Sequence, residues 1–224
     1  MIYELPNLIP TEQLVKIRSI ISKGKFVDGM QTAGPAVANL KKNIELKIGS
    51  SEGNQVNRII QQCMAENNDF QILTMPTTIT KLITSQYGIG MGYGDHSDNA
   101  MMSDGKLRSD ISLTVFLNDP KAYQGGELVL NTDIRPEEYK SAAGSCVIYP
   151  TYLLHRVNLV TKGTRLVALG WINSQVADPF KRQALIDLAQ SLDYLMKNTK
   201  DGVNHIEYIR LDKVYKNLQR MWGN

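Results

Sequence analysis

Ser145-Cys146-Val147-Ile148-Tyr149, His155-Arg156-Val157-Asn158-Leu159-Val160 and Arg165-Leu166-Val167-Ala168-Leu169-Gly170-Trp171 are three short runs rich in β-branched and aromatic residues. Ala143-Gly144 precedes the first, and Lys162-Gly163 precedes the last. Runs of this length between turn residues read as strands. Residues 79–87, 111–117 and 127–130 repeat the pattern upstream, punctuated by Asp104-Gly105, Asn118-Asp119-Pro120 and Gly125-Gly126. Many short strands spaced in this way imply a sandwich or barrel.

Outside this region the period becomes helical. Leu14, Ile17, Ile20 and Ile21 share one face of a helix that Thr11 caps and Gly24 ends. Val56, Ile59, Ile60 and Cys63 mark a second over about 52–65, broken by Asn67-Asn68-Asp69, while residues 34–49 carry no clear period. Two more helices follow the strands, one through Leu185, Leu188, Leu192 and Leu195, the other through Ile206, Ile209, Val214, Leu218 and Met221. The expected layout is a helical support over 1–77, a β core over 78–177 and a helical extension over 178–224, all one unit. Gly88, Gly90, Gly92 and Gly94 alternate just before the core, a pattern poor for a packed strand and suited to a mobile or close-approach segment.

Composition narrows the function. The 224 residues are 42% hydrophobic and 21% charged, which fits one or two folded domains. A net charge of +3 with no dense basic run argues against nucleic acid as a partner. No apolar run approaches the ~20 residues of a membrane span. Cys63 and Cys146 stand alone, so neither a disulfide framework nor a cysteine metal site is expected. The opening Met1-Ile2-Tyr3-Glu4-Leu5-Pro6 shows no secretory signal, and a cytoplasmic, reducing setting is expected.

The chemistry concentrates around two histidines. In His96-Ser97-Asp98 the first and third residues point to one face of an extended chain, and can offer an imidazole nitrogen and a carboxylate oxygen to one ion. His155 opens a strand. Two imidazoles and a carboxylate on one face of a metal leave the opposite face open, which suits non-haem Fe(II) and oxygen. Taken alone, the three residues are better explained by a chance His-x-Asp and an ordinary half-buried histidine.

Arg165 follows His155 by ten residues. A two-residue turn at Lys162-Gly163 pairs Val160 with Arg165 and turns His155 and Arg165 to opposite faces. A type I turn with Gly163 left-handed gives a three-residue loop with a bulge and pairs Leu159 with Arg165. His155, Val157, Leu159, Arg165, Val167, Leu169 and Trp171 then share a face. Glycine favours the second turn, so Gly163 is predicted to have positive φ and Arg165 to face the cavity of His155. A guanidinium inside an apolar barrel needs an acid, and its own strand offers none. A ligand carboxylate held bidentately meets the need, as would a distant Asp or Glu if the arginine is structural.

With these residues in view the chain resembles a known family. Tyr87-x-x-Gly90-x-x-Tyr93-x-x-His96-x-Asp98, Gly125-Gly126-Glu127-Leu128, Tyr149-Pro150, His155 and Gly163-Thr164-Arg165 look like the iron(II)/2-oxoglutarate-dependent dioxygenases. More narrowly they resemble the PKHD-type, prolyl-4-hydroxylase-like branch, whose closing helix is matched by the segment from Val214 to Trp222. The resemblance implies a mainly β fold, a double-stranded β-helix or jelly-roll barrel with helices outside it. It implies His96, Asp98 and His155 as the catalytic iron ligands, Arg165 as the partner of the remote carboxylate of 2-oxoglutarate, and Tyr87 as a hydrogen-bond partner of the same carboxylate. Tyr93 matches a tyrosine on the substrate side. Many prolyl hydroxylases carry a lysine where this chain has Arg165, a difference that fits the bacterial-type branch. Glu127 is read as part of a structural turn rather than a fourth ligand or base. His205 is read as structural or at the surface, and Trp171 first as core packing and second as a cavity wall.

The resemblance further implies O2 and 2-oxoglutarate as co-reactants, succinate and CO2 as products, hydroxylation of an unactivated C–H bond and L-ascorbate as auxiliary reductant. The substrate stays open between a prolyl-type side chain of a peptide or protein and a small molecule under a lid. The irregular stretch 99–108 is expected at its rim. A zinc hydrolase or isomerase on the same ligands lacks a base and leaves Arg165 unexplained. A silent barrel that senses 2-oxoglutarate is the other alternative. The apolar C-terminal helices permit a homodimer.

Overall fold

The computed structural model describes residues 2–32, 38–103 and 105–223. In chain order the strands are β1 (Tyr3–Leu5), β2 (Phe26–Asp28), β3 (Lys41–Lys42), β4 (Ile44–Leu46), β5 (Pro76–Ile79), β6 (Ile83–Tyr87), β7 (Gly92–His96), β8 (Met101–Met102), β9 (Leu107–Arg108), β10 (Ile111–Phe116), β11 (Tyr123–Gly125), β12 (Leu128–Asn131), β13 (Pro136–Tyr139), β14 (Cys146–Pro150), β15 (His155–Val157), β16 (Val160–Gly163) and β17 (Arg165–Ser174). The helices are α1 (Thr11–Ile21), α2 (Ser51–Glu66), α3 (Asn68–Thr74), α4 (Pro179–Asn198) and α5 (Ile206–Trp222).

Two sheets face each other. The long one runs β1-β14-β10-β17-β6-β4-β2 with β5 also on β17, and the short one runs β13-β12-β15-β7-β3. From β6 onward the chain shuttles between them, which is the double-stranded β-helix expected. Both strand paths end in free edges, so the sheets form an open sandwich and not a closed barrel. Alternation along β17 and β10 explains the layering. Ala168 and Ile172, with Ile111, Leu113 and Val115, join a core shared with Ile17, Val56, Ile60 and Phe70 of α1, α2 and α3. Val167 and Phe116 face inward, toward Leu128, Leu130, Val157 and Val160. Because both faces of the long sheet are covered, every residue of β10 is buried.

The helices begin where side chains can satisfy the free amides of the first turn. Ser50 accepts from the Gly53 amide, and Asp178 accepts from Phe180 and Lys181 with Pro179 in the first turn. Thr11 is itself the first helical residue, and the capping position falls on Pro10, which offers no side-chain acceptor. Asn67 does end α2, but its side chain accepts from the Phe70 amide and starts α3, a helix that the reading of 67–69 as a breaker missed.

The strands depart from expectation in three places. First, the hairpin through Lys162-Gly163 does not form. Gly163 has φ +71 as predicted, yet β16 pairs with β11 while β17 pairs with β10, β6 and β5. Both edges of β17 are already taken, so the chain crosses from one sheet to the other instead of folding back. Leu159 is 60% exposed and does not share the inner face. Second, the glycine-rich run is half strand: Gly92 and Gly94 lie in β7, while Gly88 and Gly90 lie in the turn that joins it to β6. Gly92 lets β7 lie against β15, since a Cβ there would sit 2.9 Å from the Val157 carbonyl oxygen. The close approach was expected, and the strand was not. Third, 99–108 holds the small ladder β8–β9. Gly105 has φ +80, while Asp104 of the predicted turn, like residues 34–37 of the unread stretch, lies outside the described residues. Among the described residues no helix is long and apolar enough to cross a membrane.

Candidate metal centre

The two sheets enclose a cavity of about 450 Å³. His96 ends β7 and His155 opens β15, and the two face each other across that ladder with ring centroids 4.2 Å apart. Asp98 follows two residues after His96. Its Oδ1 lies 3.9 Å from His96 Nε2 and its Oδ2 lies 3.7 Å from His155 Nε2. The three potential ligand atoms all fall within 4.8 Å of one another.

Each imidazole is turned by its other nitrogen. His96 Nδ1 lies 2.8 Å from the Gly94 carbonyl oxygen and His155 Nδ1 lies 2.9 Å from that of Leu153. A carbonyl can only accept, so Nδ1 carries the proton and Nε2 presents its lone pair to the common point. Burial, followed by the neighbouring His155, pushes the His96 pKa down to about 4 and keeps the ring neutral at pH 7. Ser112 of β10 donates to Asp98 Oδ2 at 2.7 Å and fixes the carboxylate from the facing sheet. Tyr93 stacks on His96 at 3.6 Å and 17°, and Tyr149 meets the His155 ring edge-on at 5.2 Å. Two imidazoles turned with Nε2 toward a common point and one braced carboxylate make a donor set that fits a divalent iron.

Arg165 enters from the other sheet and lines the same cavity. It is 1% exposed, yet no carboxylate among the described residues lies within ion-pair distance, and its Nε has no hydrogen-bond partner. A buried guanidinium so placed is costly until an anion meets it. Tyr87 pairs with it across β6–β17. Burial pushes the Tyr87 phenol up to about 12, with Arg165 opposing that rise, so the hydroxyl stays a donor at neutral pH. Tyr123, also beside the guanidinium, is raised by burial in the same way.

Sequence reasoning placed six residues here, and the structure brings all six to the cavity wall: His96, Asp98, His155, Arg165, Tyr87 and Tyr93. Trp171, read first as packing, lines the cavity as well, and its indole N–H is buried with no partner. Glu127 points elsewhere and accepts from Asn158 at 3.1 Å. His205 caps α5 by accepting from the Glu207 amide. The reading missed Ser112 and a buried polar group on β3 and β4. Lys41 donates to Glu45 and to Thr32, each at 2.6 Å, and Thr32 donates to Glu45 at 2.7 Å. The Lys41 ammonium lies 5.7 Å from the Tyr93 ring centroid. Lys41-x-Asn43-x-Glu45 has the period of one strand face, a signal too short to stand out in the unread stretch 34–49.

Comparison with known proteins agrees with this geometry. Residues 82–173 match the family model described as the 2OG-Fe(II) oxygenase superfamily. Over 225 aligned residues the chain is 39% identical to a PKHD-type hydroxylase of Thermosynechococcus vestitus, covering 100% of this chain and 99% of that one. Among solved structures it resembles a prolyl hydroxylase from Trichoplax adhaerens held in complex with a hypoxia inducible factor peptide fragment, with TM-score 0.58, 16% identity, and 82% and 86% of the two chains covered. It also resembles a Pseudomonas putida prolyl-4-hydroxylase, with TM-score 0.54, 17% identity, and 77% and 92% covered. At such identities the structural likeness speaks for the fold.

Proposed function

Since the chain belongs to the PKHD-type hydroxylases of the 2OG-Fe(II) oxygenase superfamily and is an Fe(II)/2-oxoglutarate-dependent dioxygenase, we propose that His96, Asp98 and His155 hold its iron and that Arg165 and Tyr87 hold its cosubstrate. When bound, iron and 2-oxoglutarate supply the activation of O2 that couples decarboxylation to succinate and CO2 with hydroxylation of a C–H bond. The observation that carries the assignment is Arg165: a buried guanidinium without an acid, facing three convergent ligand atoms across one cavity. The remote carboxylate of 2-oxoglutarate supplies the missing acid as a bidentate pair, and the Tyr87 hydroxyl donates to it.

The residues divide the work. The carbonyls of Gly94 and Leu153 hold the imidazole protons away from the metal, and Ser112 keeps Asp98 from swinging off it. Phe116, Val157 and Val167 keep water from the cosubstrate. Tyr93, stacked on His96 at the cavity wall, receives the substrate. No base is required of the protein, and among the described residues the cavity wall holds no carboxylate or imidazole beyond the proposed ligands.

The substrate reading is a prolyl-type side chain on a peptide or protein, with ascorbate keeping the iron ferrous. What supports it is that structural neighbours of the chain carry the name prolyl hydroxylase, among them one held with a peptide fragment. Incubation of the holoenzyme with proline-containing peptide pools, 2-oxoglutarate and ascorbate tests it. A gain of one oxygen on proline, matched by succinate, is expected. Succinate that no peptide stimulates, with no oxygen gained, would overturn the substrate class.

A further inference from the structure

A second cleft of about 340 Å³ adjoins the candidate metal centre, and Ser97 and Asp98 line both. Its far wall is Arg182, in the first turn of α4. This side chain is 4% exposed. Its Nη1 donates to the carbonyls of Val176 at 2.7 Å and Ala177 at 3.4 Å, and no carboxylate lies within ion-pair distance among the described residues. Desolvation lowers its pKa, and the helix N-terminus adds positive potential at the same spot.

The charges around it decide what could bind. Asp110, Asp178, Tyr3 and Tyr152 are the titratable groups that act on Arg182. Asp110 is already met by Arg108 at 2.7 and 3.1 Å, by Asn173 at 3.3 Å and by the Ser174 amide at 2.8 Å. Asp178 is engaged as the α4 cap. Asp98 gives its charge to the metal under the reading above, on which this step rests. With those acids engaged, Arg182 is the one cation of the cleft wall among the described residues, and Asp98 and Asp110 on the same wall leave room for a monoanion rather than a dianion.

We infer that Arg182 is the anchor of a carboxylate subsite, occupied by an acidic group on the same substrate whose C–H bond lies in the catalytic cavity. Ser97 and Asp98 line both spaces, so an extended molecule lying across these two residues would reach from one to the other. The substrate class is therefore a peptide with an acidic side chain or terminal carboxylate near the hydroxylated residue.

Two measurements test this. Protein loaded with Zn(II) and N-oxalylglycine, which closes the Arg165 site, is titrated with trifluoroacetate and followed by ¹⁹F NMR. Binding that weakens about tenfold or more in Arg182→Gln, is partly kept in Arg182→Lys and is unchanged in the exposed Lys181→Gln is expected. Unfolding of each variant is followed in parallel, and if Arg182→Gln fails to fold, Arg182→Lys alone is read. Absence of binding in wild type, or equal binding in the folded variants, overturns the subsite. The second measurement compares proline peptides that carry Asp or Glu with matched Asn or Gln peptides in the iron enzyme. A lower KM for the acidic set, lost in the Arg182 variant while the 2-oxoglutarate KM holds, supports a substrate carboxylate. Anion binding without any acidic preference overturns it in favour of a free carboxylate effector. Anion binding at Arg182 with no peptide oxidised leaves the subsite standing and removes the prolyl reading instead.

Discussion

Arg165 and Tyr87 are direct partners across the β6–β17 ladder, and the guanidinium carbon lies 5.0 Å from the centroid of the Tyr87 ring. Phe116 holds a second ring at 5.7 Å. Aromatic faces shelter the cation from water without neutralising it. The site is thus organised to receive an anion before one is present. Arg165→Ala is expected to weaken 2-oxoglutarate binding about a hundredfold, the scale of losing one partner of a buried charged pair. Iron affinity should change far less. Anaerobic titrations of metal and cosubstrate separate the two, and equal losses would show that the arginine serves the metal site.

Ser112→Ala removes the one side-chain donor to Asp98 Oδ2 among the described residues. Loss of a hydrogen bond to a ligating group costs about ten- to a hundredfold in metal affinity. Competition with a chelator measures this. Unchanged affinity would mean that Asp98 is held by its backbone alone.

His96 gives the metal-free protein a pH dependence. Its folded pKa, pushed down to about 4, lies below the ~6.5 of an unfolded histidine. The unfolded chain therefore binds the proton first. Stability from this group is complete above about pH 6.5 and is lost as pH falls toward 4. The urea midpoint should drop between about pH 7.5 and 5, and His96→Asn should flatten that slope. An equal slope in both proteins would contradict the assignment.

Gly163 holds the crossover that delivers Arg165. Its φ is +71, and a Cβ added there would sit 2.1 Å from the Ala122 carbonyl oxygen. Gly163→Ala therefore combines backbone strain with a clash and should cost roughly 2–4 kcal/mol. Gly90→Ala has φ +76 but open space, and should cost only about 1 kcal/mol. Denaturant unfolding of both variants checks the difference, and equal costs would show that the backbone yields to the added methyl without penalty.

These positions also show what could be read from the chain. The short β-branched runs between turn residues and the His-x-Asp spacing are local, and they survive into the structure as strands and as ligand geometry. The route by which His155 and Arg165 meet is not local. Gly163 takes the conformation its turn chemistry demands, yet the pairing depends on which strand edges are free, and β17 has none left after β10 and β6 bind it. Gly92 becomes a strand residue because Val157 lies against it, a contact that spacing cannot reveal. Lys41 and Glu45 stay buried only because each neutralises the other, whereas composition places both at a surface. Trp171 is apolar by type, and only its position shows an N–H with nothing to bind.

The most direct measurement is anaerobic reconstitution with Fe(II), followed by 2-oxoglutarate and then air. The account predicts a visible metal-to-ligand charge-transfer band that needs both components, is lost in His96→Ala and His155→Ala, and gives way to succinate when oxygen enters. No band and no succinate from folded, iron-loaded protein would contradict the claim that His96, Asp98 and His155 hold an iron whose cosubstrate is anchored by Arg165.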